Sequence, residues 1–145
     1  MEANMYGYNS HTWNCPRPDN KMHYGPCSKK NNCRLDVNDY GDNYGPGNAT
    51  IDTTKKFRVE ANFYRLEDTL DYYTVELTQG VRSLLMSSEG CDTHNFGFEL
   101  ADGLAFVIST WGSDTYHELE HGKCKGACEA GALETVSNIH INTWK

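Results

Sequence analysis

Six cysteines, Cys15, Cys27, Cys33, Cys91, Cys124 and Cys128, constrain this chain more than any other feature of its sequence. No two of them form a C-x-x-C pair, so a zinc ribbon or a dithiol redox motif lacks its basic unit. An even number of cysteines reads instead as up to three disulfides, formed in an oxidising compartment. Secretion is therefore the expected localisation, although Met1-Glu2-Ala3-Asn4-Met5-Tyr6 has neither the basic start nor the apolar stretch of a signal peptide. Asn48-Ala49-Thr50, a glycosylation acceptor triplet beside the turn-forming Tyr44-Gly45-Pro46-Gly47, agrees with that routing.

Crosslinks matter because the aliphatic inventory is short. Hydrophobic residues make up 38% of the 145, and the mean hydropathy is -0.69. The 9 Tyr and 3 Trp supply other means of ordering a polar chain. This length suits a single domain over residues 1–145. No apolar run approaches the roughly 18 to 20 residues of a membrane-spanning helix, so no membrane partner is expected. With 13 Lys+Arg against 20 Asp+Glu, the net charge of -7 repels a phosphate backbone, and nucleic acid is set aside as well.

All four prolines, Pro16, Pro18, Pro26 and Pro46, lie before residue 47 together with three cysteines, which reads as long crosslinked loops. Beyond Thr53 the pattern changes. Phe57, Val59, Ala61 and Phe63 alternate with Arg58, Glu60 and Asn62, the period of a strand with one wet face. A second strand is predicted over Tyr72 to Leu77 after a turn around Glu67 to Asp71. Gly80 then separates it from a third, Val81 to Met86, completing an antiparallel meander. Phe96, Phe98 and Leu100 alternate again, Leu104 to Trp111 reads as the most buried strand, and Val136, Ile139, Ile141 and Trp144 suggest a last one. The expected class is all-β, one part of an antiparallel sandwich.

Few polar residues carry chemistry by their spacing. Of the histidines only His117 and His121 share a helical i, i+4 relation, too little for a metal site, so no metal is expected. There is no phosphate-cradling glycine loop and no G-x-S-x-G elbow, and no cofactor is expected.

Several segments together are more informative. Glu2-Ala3-Asn4 is followed by Cys15, Tyr44-Gly45-Pro46-Gly47 precedes Ile51-Asp52-Thr53-Thr54-Lys55-Lys56-Phe57, and Gly103 to Trp111 precedes Ser137-Asn138-Ile139. In this order they resemble the carboxyl-terminal part of the family 7 glycoside hydrolases, the cellobiohydrolases and endoglucanases. The resemblance implies a concanavalin-like jelly-roll sandwich, here partial and with long disulfide-linked loops. It implies a retaining β-1,4-glucan hydrolase acting on cellulose or a related glucan.

Retaining glycosidases use two carboxyl groups about 5 to 5.5 Å apart, one as acid/base and one as nucleophile. Glu2 matches the acid/base, whereas the matching nucleophile would precede Met1, so the 145-residue chain alone is expected to be inactive. Trp111 matches a tryptophan that stacks on a glucose ring, and an aromatic face suits the apolar face of a pyranose. Trp13 stands where the family has a cleft histidine, with His11 nearby. His23 and His121 stand where arginines are expected; losing their planar charged forks implies weaker product-side binding. The resemblance further implies disulfides Cys15–Cys27 and Cys33–Cys91. It leaves Cys124, whose family partner lies upstream, with Cys128 as a local partner. The competing expectation, favoured by the absent nucleophile, is a non-catalytic β-glucan-binding module using Trp111, Trp13 and loop tyrosines. A sandwich cut through its middle would also leave strand edges open to association.

Overall fold

The computed structural model describes residues 1–10, 33–67, 69–91, 107 and 135–142. Among them the regular structure is strand, apart from one 3₁₀ turn, and the strands of the two larger sheets run antiparallel, so the described part of the chain is all-β.

The meander predicted from alternation is present. Strands β6 (Arg58–Leu66), β7 (Thr69–Gln79) and β8 (Arg82–Ser87) form one sheet in that order. Register sets Val59 opposite Leu77 and Leu77 opposite Leu84, then Ala61 opposite Val75 and Val75 opposite Met86. Facing residues share a side of the sheet, so these apolar residues make one continuous face. Leu77, Val75 and Met86 are wholly buried there. The connection from β7 to β8 is the pair Gly80-Val81, with Gly80 at φ +62°, as a two-residue hairpin loop with glycine first requires. The turn from β6 to β7 is tighter than Glu67 to Asp71, because Leu66 already pairs with Thr69.

β6 differs from expectation in one respect. Its apolar side is only half covered, with Val59 43% and Phe63 49% exposed. The layer packed on the meander explains this: β5 (Ile51–Asp52) lies against β7 and β8, and β3 (Leu35–Asp36) against β8, so the cover sits over the two later strands.

That layer is built from very short strands. β1 (Glu2–Ala3), β2 (Tyr8–Ser10) and β3 (Leu35–Asp36) form a small antiparallel sheet, and β4 (Tyr44–Gly45) and β5 (Ile51–Asp52) form a parallel pair. Tyr8, Leu35, Val37, Tyr44 and Ile51 pack with Tyr73, Val75, Leu77 and Met86 into a single core cluster. Polar side chains do what the short ladders cannot. The Gln79 carboxamide accepts from Asp52 N and donates to Asp52 O, both at 2.9 Å, pairing the end of β7 with β5 as a strand backbone would. The Tyr73 hydroxyl donates to the Cys33 carbonyl at 2.6 Å and accepts the Ser10 hydroxyl at 3.5 Å.

Beside this contact Cys33 is joined to Cys91, the pairing that the resemblance implied. The other proposed bridges, Cys15–Cys27 and Cys124–Cys128, lie outside the described residues, as do the strands expected at 96–100 and 104–111, Val107 excepted. The last strand is corrected: residues 135–142 form no strand, and Val136, Ile139 and Ile141 are exposed. Asn138 at φ +56° breaks the extended backbone mid-segment, and the apolar spacing of three then two residues never had the alternation of a half-buried strand. Trp144 is outside the described residues. No helix among the described residues is long and apolar enough to cross a membrane, and the disulfide is compatible with an extracellular protein.

Candidate functional site

The site is built from the first ten residues outward. Asn4 begins a tight reversal: its Oδ1 accepts from Tyr6 N at 2.8 Å and from Gly7 N at 2.9 Å, and its own N donates to Gly7 O. This side-chain mimic of a turn is a standard use of asparagine. It folds β1 back onto β2, with Glu2 opposite Asn9 and Ala3 opposite Tyr8. Two further bonds fix the reversal on the body of the protein, from the Tyr44 hydroxyl to Asn4 O at 2.8 Å and from the Thr53 hydroxyl to Met5 O at 2.7 Å.

β2 pairs in turn with β3, setting Asn9 opposite Asp36 and Ser10 opposite Leu35. Positions 2, 9 and 36 therefore form one row across three strands. Tyr8, next to Asn9, packs in the core beside Tyr44 at 6.3 Å between ring centroids, so Asn9 lies on the other side of the small sheet. Burial, with Tyr44 and Tyr73 adding to it, pushes the Tyr8 phenol well above its ordinary pKa, and it stays protonated.

Asp36 is buried and already engaged. It accepts from Arg34 Nη2 at 2.6 Å, from Asn38 N at 2.9 Å and from Asn38 Nδ2 at 2.8 Å, capping the 3₁₀ turn Val37–Tyr40. Asn9 is the contrast: only 3% exposed, its Oδ1 has no hydrogen-bond partner among the described residues. A buried carbonyl oxygen without a donor costs about 1 to 3 kcal/mol, so it favours any donor brought to it, such as a hydroxyl or a protonated carboxyl.

The row also limits the chemistry. Two strand spacings, roughly 9 to 10 Å, separate the backbones at positions 2 and 36. With its oxygens held by Arg34 and Asn38, the Asp36 carboxylate is already committed to structural bonds. Among the described residues no three His, Cys, Asp or Glu side chains gather to hold a metal ion.

Of the residues singled out from the sequence, only Glu2 falls within the described part, where its backbone is placed in β1. Trp111, Trp13, His11, His23 and His121 lie outside the described residues. Asn9 and Asp36 were missed. Residues 11–32 separate them in the chain, and no periodicity in two- or three-residue strands announces their register. Comparison with family models, with curated proteins and with solved structures finds no match for the chain.

Proposed function

We propose that this chain forms the acid/base side of the cleft of a retaining β-1,4-glucan hydrolase, within a jelly-roll sandwich. Glu2 is the proton donor to the leaving oxygen, and Trp111 and Trp13 stack on sugar rings with His11, His23 and His121 nearby. The observation that supports this reading is the position of Glu2. It stands on a paired strand, in a row with the buried Asn9, and not on a frayed terminus.

The second reading, a non-catalytic β-glucan-binding module, draws on the same row, because the Asp36 carboxylate is already committed to Arg34 and Asn38. One set of assays separates them. The purified chain is expected to be retained by cellulose and not by starch, and Trp111→Ala to weaken retention. It is expected to release no reducing sugar from a soluble β-1,4-glucan. Failure to bind cellulose contradicts both readings. Turnover lost in Glu2→Gln would show that the 145 residues hold a complete hydrolytic site. In the encoding gene, a carboxyl residue five positions ahead of Glu2 selects the hydrolase; its absence selects the binder.

A further inference from the structure

Asn48-Ala49-Thr50 is the one Asn-x-Ser/Thr triplet in the chain, and glucan recognition makes no use of it. It lies on the link between β4 and β5, where Gly47 at φ +93° turns the backbone. Three anchors hold this link. Gly47 N donates to Asp52 Oδ1 at 3.0 Å, Arg82 Nη1 to Ala49 O at 3.0 Å, and the Thr50 hydroxyl to Asn43 Oδ1 at 2.8 Å. Asn48 itself is exposed, and its side chain makes no hydrogen bond among the described residues. The groups that shape the link belong to its neighbours, so among the described residues modifying the Asn48 amide breaks no hydrogen bond.

We propose that Asn48 is an N-glycosylation site, modified before the β4–β5 link closes. The acceptor triplet requires a hydroxyl two residues after the asparagine, so that hydroxyl is read during transfer. In the folded chain the Thr50 hydroxyl is committed to Asn43, and only the open chain presents both groups. The donor is a polyprenyl-diphosphate-linked oligosaccharide. Asn48 Nδ2 bonds to the anomeric carbon and the bond from that carbon to the diphosphate oxygen breaks. Its electron pair leaves with the lipid diphosphate, and one amide proton passes to solvent; nothing is oxidised or reduced. The glycan then stands in solvent on a pinned link, away from the Leu77 and Met86 core. The inference depends on passage through a secretory pathway and not on glucan cleavage.

The test is to secrete the 145-residue chain from a eukaryotic host and measure its mass before and after peptide-N-glycosidase in heavy-oxygen water. A glycan-sized loss is expected, with aspartate carrying one heavy oxygen at position 48. Asn48→Gln and Thr50→Ala should abolish it, and Thr50→Ser should keep it. Asn48→Gln leaves the Thr50–Asn43 bond in place, and a nonreducing peptide map showing Cys33 joined to Cys91 confirms folding. An unmodified Asn48 in the secreted, oxidised chain overturns the site. For the order of events, purified oligosaccharyltransferase and its lipid-linked donor should modify the reduced, unfolded chain roughly tenfold faster than the oxidised one, the factor that opening one or two hydrogen bonds imposes. Equal rates would overturn that order.

Discussion

β7 runs for 11 residues, pairs along most of its length on both sides and buries Val75 and Leu77 completely, whereas β1 to β5 are two or three residues each. The meander is ordered by its ladders and one apolar face. The small strands are ordered by side chains standing in for backbone: Asn4 in the reversal, Asp36 at the 3₁₀ turn, Gln79 along β5, Asp52 under the Tyr44–Gly47 turn, and the Cys33–Cys91 bridge. A chain short of aliphatic residues can thus hold one conventional sheet and use polar clasps to lay an irregular layer over it. The row containing Glu2 belongs to the clasped layer.

The largest test of this division is the disulfide. Cys33 and Cys91 are 58 residues apart, and replacing both by alanine should cost on the order of 4 kcal/mol by the loop-entropy estimate. Amide exchange should show the loss at Ser10 and Leu35 before Val75 and Leu77; uniform loss would mean that the two regions are one cooperative unit. Leu77→Ala, at the centre of the meander, should cost about 3 kcal/mol in urea unfolding and release both regions together, because the small strands pack on this face.

Two tyrosines sharpen the comparison on a smaller scale. Tyr73→Phe removes the hydroxyl bonded to Cys33 O and should cost about 1 to 2 kcal/mol. Tyr8→Phe removes a buried hydroxyl with no partner among the described residues and should be neutral or stabilise by about 1 kcal/mol. Equal losses in thermal unfolding would mean that the Tyr8 hydroxyl is bonded after all.

The smallest effect expected is that of pH on the clasp at Asp52. Bonds from Lys55, Thr54 and Gly47 hold its carboxyl well below the usual carboxylate range. A lowered folded pKa gives stability that is complete above the unfolded value of about 3.9 and is lost as pH falls from there toward the folded value. Acid unfolding of Asp52→Asn should lack that part of the wild-type slope; parallel curves would remove Asp52 from the account.

The same division decides what can be read from sequence. β6 to β8 were legible because Phe57 to Phe63 alternate and Gly80 marks a two-residue turn, both local signals. The class followed from them. The half-open face of β6 was not legible, since it depends on where β3 and β5 land. Val136 to Ile141 misled because apolar content suggested a strand that the left-handed Asn138 interrupts. The motif resemblance singles out Glu2 but not its neighbours in the row, because Asn9 and Asp36 meet through register and not through spacing.

Titration of the labelled chain with cellohexaose, followed by backbone amide shifts, tests the central claim most directly. The account predicts shifts at Ala3, Asn9 and Asp36 while the amides of Val75, Leu77 and Met86 stay in place. A spectrum unchanged at saturating sugar, or changes confined to the meander, would contradict it.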